Sequence, residues 1–497
     1  MSHHEWTADE IRRVGRLVVD LIADHLTSLP ERPAFRPVPA ALAQEMAATP
    51  APAHPASPDD ILRRFKDTIE PYPFGNGHPR FWGWINSPPA VMGVFADALA
   101  AAMNPSCAGG NHAAIHLERE VLEWFRELLR FPRGAMGLLV SGGSMATMTA
   151  LAVARHVKSG VDVRQDGLCG AAAPFAFYMT TEGHSCARKA IELLGFGSAS
   201  IRIVPATDAY TMDVAALDNQ ITADRRAGVR PIAVVATAGT TNTGAIDDLR
   251  AIADVCRRHD VWMHVDAAYG GPAILSDEYG SAIAALAEAD SAAVDPHKWM
   301  FVPVEAGLVV VRDGEAMRSA FSLVPPYIRT QGSAGEVYGL PWFSEYGFQQ
   351  TRGFRALKVW MAMQQFGTRG YKAIVEENIA LAKYLADRVR RAEDFELMAP
   401  PSLSVVCFRY LDPSTRRADA GPSGDVAAME RENAAAALNR AILERLQLSG
   451  EAFITSTELR GRFVLRACVV NYRSTPEDVD RMLDAVRAIG ADVAALP

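Results

Sequence analysis

Two kinds of apolar pattern divide the chain. Near the N-terminus, Ile11, Val14, Leu17, Val18, Leu21, Ile22 and Leu26 fall on one face of a helix spanning residues 8–28. Pro30, Pro33, Pro37 and Pro39 end it. A Pro/Ala-rich connector follows, and Ser57-Pro58-Asp59-Asp60 opens a second short helix, with Ser57 as its cap and Pro58 at its first position. Two helices on such a connector bury little by themselves, so this part is expected to pack on something else, such as a partner subunit. The extended stretch 78–89 contains two tryptophans beside prolines. It reads either as an aromatic core patch or as the wall of a substrate pocket. Helices are predicted at 92–102 and 115–129, the second turning Leu117, Val121, Leu122, Phe125, Leu128 and Leu129 inward.

From Leu138 the pattern changes. Short apolar runs at 137–140, 176–180, 201–205, 232–236, 261–265, 291–294 and 307–311 alternate with helical stretches such as 186–194, 214–227 and 249–259. Continuous apolar strands separated by helices predict a largely parallel sheet covered on both faces. Ligands of such sheets sit at the carboxyl ends of the strands. The loop-rich stretch 320–353 is too long for a connector and predicts a mobile lid. Beyond it, 354–392 reads as helix. Residues 403–410, 434–448, 463–470 and 476–493 then read strand, helix, strand, helix, with a flexible excursion at 412–431. This is a second, smaller α/β domain.

Composition narrows the class. The 497 residues allow roughly two to four domains, and 49% hydrophobic with 22% charged residues is the balance of a soluble globular protein. A formal charge of −8, with no Lys/Arg cluster, argues against a nucleic-acid binder. Cys107, Cys169, Cys186, Cys256, Cys407 and Cys468 form no CxxC pair. They predict reduced thiols in the cytoplasm and no zinc site. Charges at Glu5, Asp9, Glu10, Arg12 and Arg13 exclude a signal-peptide core. The uncharged run 134–154 is long enough to raise the question of a membrane span. Ser141-Gly142-Gly143-Ser144 interrupts it in a strand–turn–helix pattern, so it is expected to be buried structure.

The candidate chemistry gathers at strand ends. Lys298, in Asp295-Pro296-His297-Lys298-Trp299, follows the apolar run 291–294. A lysine emerging from a core must pair, lose its proton or form a covalent bond, and Schiff-base chemistry uses such a lysine. Taken alone, a structural lysine is the plainer reading. Ser141-Gly142-Gly143-Ser144 lets backbone approach an anion at a helix N-terminus, although by itself it reads as a turn. It matches neither GxxxxGK[ST] nor GxGxxG. Asp266 ends a strand, where a carboxylate can hold a proton on a ligand nitrogen, cap a helix or bind metal. No partner His/Asp set makes a metal site there. His184 and Thr237 follow two further strands. Together these groups describe a site for pyridoxal phosphate. The lysine would hold the aldehyde as an imine, and the carboxylate would keep the pyridine nitrogen protonated.

The wording DPHKW, HVDAAYGG, SGGSMA and FRALKVW resembles the group II pyridoxal-phosphate-dependent amino-acid decarboxylases, which include the aromatic L-amino-acid, histidine and glutamate decarboxylases. The resemblance runs from about residue 8 to the C-terminus and is dense between 78 and 360. It implies an α/β fold of pyridoxal-phosphate fold type I (aspartate-aminotransferase-like), with a mostly parallel seven-stranded sheet in the large domain. The expected organisation is an N-terminal helical dimerisation segment at 1–85 and a large cofactor-binding domain at 86–365, with its mobile loop about 320–345. A small C-terminal α/β domain would occupy 366–497. A homodimer with interface active sites is implied, its N-terminal helices wrapping the partner.

Residue by residue, the resemblance makes Lys298 the imine lysine, with His297 beside it, and Asp266 the partner of the pyridine nitrogen. Ala268 would pack near the ring and His184 stack on its face. Gly143 and Ser144 would bind phosphate, with Asp295 and Thr237 close by. Tyr327, in Val324-Pro-Pro-Tyr-Ile-Arg329, matches the mobile-loop tyrosine that donates a proton to Cα after carbon dioxide leaves. The substrate side chain would meet Trp82, Trp84, Ile85 and Ser87, and also Asn104 and Ser106. The aromatic wall favours a Phe, Tyr or Trp type of L-amino acid, converted to its amine and carbon dioxide. Asn104-Pro105-Ser106 departs from the apolar residues that aromatic decarboxylases place there, which leaves a larger or more polar substrate open. The alternatives are an oxidative aldehyde synthase, against which Tyr327 stands, and a decarboxylase of glutamate or histidine. No arginine is evidently placed for a side-chain carboxylate.

Overall fold

The computed structural model describes residues 5–75, 77–171, 173–323, 342–413 and 425–495. Tyr327, with most of the predicted lid, lies outside the described residues, as does 414–424 of the predicted excursion. In chain order the helices are α1 (Ala8–Ser28), α2 (Ala40–Ala48), α3 (Pro58–Arg64), α4 (Val91–Met103) and α5 (Ala113–Leu128). Then come β1 (Met136–Val140), α6 (Gly143–Lys158), β2 (Phe175–Met179), α7 (Ser185–Leu193), β3 (Ile201–Ile203), α8 (Val214–Arg226), β4 (Arg230–Thr237) and α9 (Leu249–Arg258). Strands β5 (Trp262–Asp266), β6 (Ser291–Val294) and β7 (Gly307–Val311) follow. The chain divides into two compact units, one of Met1–Trp84, Tyr384–Met398 and Phe408–Pro497, the other of Ile85–Lys383 and Ala399–Cys407.

The second unit is built on a seven-stranded sheet in the order β1-β7-β6-β5-β4-β2-β3. Strand β7 runs antiparallel to both β1 and β6, whereas the remaining pairs are parallel. Two reversals restore direction, so β1 points the same way as β4, β5 and β6. The carboxyl ends of β1, β2, β4, β5 and β6 therefore share one edge, which is where the predicted chemical residues lie. The strands are apolar throughout because helices cover both faces; residues 232–236 of β4 are fully buried. Each such Val or Ile contributes roughly 1.5–3 kcal/mol on burial.

Polar pins fix the register. His264 in β5 is buried, with Nδ1 3.0 Å from Ser291 Oγ and Nε2 3.3 Å from Thr147 Oγ1, which ties α6 to β5 and β6. Burial pushes its pKa down to about 4, so the ring is neutral. The buried pair Glu118–Arg352 holds the end of β1. Arg352 donates to Leu139 O at 2.7 Å and to Cys107 O at 2.9 Å, while Glu118 Oε1 accepts from Leu139 N at 3.2 Å. Gly307 opens β7 where a Cβ would lie 2.4 Å from Gly142 Cα, so only glycine lets the strand pass the turn after β1.

The first unit carries the N-terminal helices. Thr7 caps α1 in a capping box with Glu10, and Ser57 caps α3 as expected. None of α1, α2 and α3 buries a side chain. The C-terminal part of the chain forms a four-stranded sheet in the order β10-β11-β9-β8, from β8 (Phe395–Leu397), β9 (Val405–Tyr410), β10 (Thr455–Leu459) and β11 (Arg462–Cys468). Strands β8 and β10 were not evident in the pattern: one is very short and the other is mostly polar. A two-residue turn, Arg460-Gly461, joins β10 to β11, with φ of +53° and +76° at the two positions. It is a primed hairpin turn written without the usual Asn-Gly. The predicted helix 354–392 is interrupted at Gly367, whose φ is +62° and ψ +168°. Among the described residues no helix is long and apolar enough to cross a membrane.

Candidate active site

Gly143, Ser144, His184, Thr237 and Asp266 line one cavity of about 380 Å³. Ala268, Asp295, His297 and Lys298 line the same cavity. Residues from five strand ends are thus brought to one place, as the common edge requires.

Lys298 Nζ lies 2.9 Å from Asp295 Oδ2, three residues earlier in the turn after β6. Burial alone would depress the lysine, but Asp295 and Asp266 outweigh it and hold the ammonium above its ordinary pKa. Asp295 is itself buried, and its Oδ1 has no hydrogen-bond partner among the described residues. His297 Nδ1 sits 2.6 Å from Ala306 O, and its Nε2 is 3.8 Å from Asp295 Oδ2. Burial lowers its pKa, so the imidazole is the neutral form.

The anion cradle follows from glycine at two adjacent positions. Helix α6 starts at Gly143 with no side chain capping its first turn, so its N–H groups are open to a ligand. A Cβ on Gly143 would stand 2.9 Å from Asp295 Oδ2 and 3.1 Å from Ala268 Cβ, which is too close for any other residue. At the start of α7, His184 Nδ1 accepts from Cys186 N at 3.2 Å. With Nδ1 accepting, Nε2 is the ring nitrogen left to donate. Asp266 is buried at the end of β5, and its Oδ1 accepts from Ala268 N at 3.1 Å.

Further residues complete the site. Cys186, Tyr269 and Glu305 also line the cavity; burial pushes the Cys186 thiol up to about 12, so it stays protonated. Asp247 is buried behind Thr237, taking Thr237 N at 2.8 Å and Met212 N at 2.7 Å, and burial raises it to about 6. It positions the Thr237 turn. The acid immediately before the α9 cap at Asp248 was the available signal.

Among the proposed substrate residues, Ile85 lines the cavity. Ser87 Oγ donates to His297 O at 3.3 Å. Asn104 lines a neighbouring cavity of about 310 Å³; Ser106 lines neither. Trp82 and Trp84 belong to the other unit. There Trp82 is fully buried, with Nε1 donating to Ser474 Oγ at 2.9 Å, and Trp84 stacks on Phe74 at 5.0 Å.

The Lys298–Asp295 contact has a measurable consequence. A raised lysine pKa means that the ammonium dominates at neutral pH, and that the ion pair's contribution to stability is lost as pH rises through the folded value. Only the free amine attacks an aldehyde, so cofactor capture by the cofactor-free protein should accelerate with pH across the alkaline range. Asp295→Asn removes the nearest carboxylate and should move that profile to lower pH. Reductive trapping read by mass spectrometry would measure it; an unshifted profile would contradict the coupling.

An ammonium held by carboxylates beside an uncapped helix start, at the edge of a parallel sheet, is an arrangement suited to a phosphorylated aldehyde. Residues 39–411 match the model of the pyridoxal-dependent decarboxylase conserved domain, and the chain belongs to that family, in its group II branch. It is 32% identical over 489 residues to an aromatic-L-amino-acid decarboxylase of Bacillus atrophaeus, covering 98% of this chain and 97% of that protein. It is 30% identical over 441 residues to an acidic amino acid decarboxylase of Homo sapiens, covering 88% and 82%. The crystal structure of Oryza sativa TDC with PLP and tryptamine matches with a TM-score of 0.88 and 28% identity, covering 99% of this chain and 100% of that one. The fold is that of these decarboxylases, and the protein is a carboxy-lyase that uses pyridoxal phosphate.

Proposed function

We propose that the enzyme decarboxylates an aromatic L-amino acid of the Phe, Tyr or Trp type to its amine and carbon dioxide. The observation that carries this is the cavity lining: Ile85 offers an apolar contact, and no arginine lines the cavity among the described residues. The likeness to the Bacillus atrophaeus decarboxylase along nearly the whole chain supports it.

The residues present fit the cofactor: an unpartnered buried oxygen on Asp295, an uncapped helix start and an ammonium share one cavity. Lys298 would hold the aldehyde end covalently, and Asp266 would keep the pyridine nitrogen protonated. His184 and Ala268 would flank the ring. Gly143 and Ser144 would take the phosphate, with Asp295 and Thr237 close by, and His297 would lie near the cofactor beside Lys298. When bound, the cofactor supplies a sink for the electron pair that departing carbon dioxide leaves behind. Tyr327 would deliver a proton to Cα. Closure of its loop would exclude water.

We also propose a homodimer in the cytoplasm. Helices α1 to α3 bury no side chain, and Trp6, Ile11 and Val19 are exposed. A second chain would cover them, while the scattered free cysteines suit a reducing compartment.

A panel of L-Phe, L-Tyr, L-Trp, L-His and L-Glu, with carbon dioxide, amine, aldehyde and hydrogen peroxide all measured, tests the reaction. Equal carbon dioxide and amine from an aromatic substrate is expected. Preferred turnover of L-Glu, or peroxide matching aldehyde, would sink it. In the same assay Tyr327→Phe should lower amine and raise aldehyde; an unchanged ratio would remove Tyr327 from the proton transfer.

A further inference from the structure

Among the described residues, Glu305 is the charged residue of the cavity to which the reading above gives no role. Glu305 lies between Lys298 and β7, and it lines both this cavity and the neighbouring one that contains Asn104, Arg355 and Lys358. It is the wall between them. Arg355 donates to Glu305 through Nε at 3.2 Å and Nη2 at 2.6 Å, and both bonds fall on the single oxygen Oε1. The side chain of Glu305 is 47% exposed and that of Arg355 14%. The arginine lines the second cavity and not the first, so the carboxylate stands between the guanidinium and the cofactor site.

Among the described residues, the charged lining of the first cavity is Asp266, Asp295 and Glu305 against Lys298, three carboxylates to one ammonium. Lys298 is already paired with Asp295 at 2.9 Å. A substrate with a carboxylate side chain would add like charge in a partly desolvated space, whereas an uncharged ring adds none. Arg355, on the far side of Glu305, is paired with it through Nε and Nη2, while its buried Nη1 has no hydrogen-bond partner among the described residues. Asp97 likewise occupies Lys358, at 3.3 Å.

Resting on the aromatic-substrate reading above, we propose that Glu305 is a specificity-determining residue that turns away amino acids with acidic side chains. It acts by repulsion, which is how a site discriminates when its attractive contacts are mostly apolar. The 30% identical human relative that is named for acidic amino acids makes the distinction a real one for this fold.

The test compares L-glutamate with L-glutamine, which differ in charge and hardly in shape. Their dissociation constants for the wild-type holoenzyme and for Glu305→Gln and Glu305→Asp are read from the change in the bound cofactor's visible absorption. Values of kcat/KM are measured alongside, with the best aromatic substrate as reference. Glu305→Gln should narrow the preference for glutamine over glutamate by about tenfold or more, and Glu305→Asp should keep it. An unchanged ratio in Glu305→Gln, or loss of discrimination in both variants, would overturn the role of Glu305 whatever the best substrate proves to be. Wild-type enzyme that turned over L-glutamate faster than any aromatic amino acid would instead overturn the aromatic reading. The two failures are therefore separate.

Discussion

Lys298→Ala is expected to abolish amine formation and the visible absorption of lysine-bound cofactor together. Among the described residues, the ammonium is the one lysine side chain lining the cavity, and it stands 2.9 Å from Asp295 Oδ2. On the proposed reading alanine removes the covalent anchor, and a rate loss of about 10³-fold or more follows where a covalent catalyst disappears. The cradle at Gly143 and the carboxylate of Asp266 remain, so the cofactor should still bind without a covalent bond. A small primary amine added to the variant should recover part of the turnover, which a collapsed site could not do. The substitution also leaves Asp295 buried without its cation, so the variant should melt at lower temperature. Full amine production by Lys298→Ala would reduce the protein to a scaffold whose chemistry lies elsewhere.

Much of this site could be read in the chain because each member follows an apolar strand. Lys298 after 291–294, Asp266 at the end of 261–265, His184 after 176–180 and Gly143 after 137–140 needed only the rule that parallel strands end at a shared edge. The structure adds why β1 belongs to that edge: β7 reverses direction between β1 and β6. Glu305 carried no such mark. It follows the mostly apolar stretch 299–304, and nothing in its spacing says that it lines a cavity with Lys298. Asp247 carried only the mark of an acid before the α9 cap, and its role depends on the backbone of Thr237 and Met212 converging on it. Residues that line a pocket through tertiary meeting have no period to betray them. The substrate residues show this most clearly. Trp82 looked like a pocket wall, and its indole is fully buried with a hydrogen bond to Ser474. The strand β10 was missed because Thr455-Ser456-Thr457-Glu458 alternates on a surface rather than filling a core, with burial only at the ends of the strand.

Asp266→Asn is expected to produce the second largest loss, and it separates charge from shape. Asp266 is buried at the end of β5, where Oδ1 accepts from Ala268 N at 3.1 Å and the backbone carbonyl accepts from Ala238 N at 2.8 Å. Asparagine has the same outline, and its carbonyl oxygen can take the Ala268 bond, so the strand end and the fold should survive. What it cannot supply is the negative charge that, on the proposed reading, would keep a proton on the cofactor's ring nitrogen. The electron sink weakens accordingly, and kcat should fall by about 10²–10⁴-fold, the range associated with losing one preorganised charge or one proton-transfer group. KM should change much less, because the phosphate cradle and Ile85 are untouched. Lys298 should respond as well: Asp266 is one of the two carboxylates holding it up, so in the variant its pKa falls and cofactor capture should reach its maximum rate at lower pH. A cofactor analogue methylated on the ring nitrogen carries a permanent positive charge and needs no carboxylate to keep it. It should therefore restore activity to Asp266→Asn while giving no benefit to the wild-type enzyme. Failure of that rescue, with the fold intact, would mean that Asp266 serves the strand end and not the ring, and some other group would have to keep the ring nitrogen protonated.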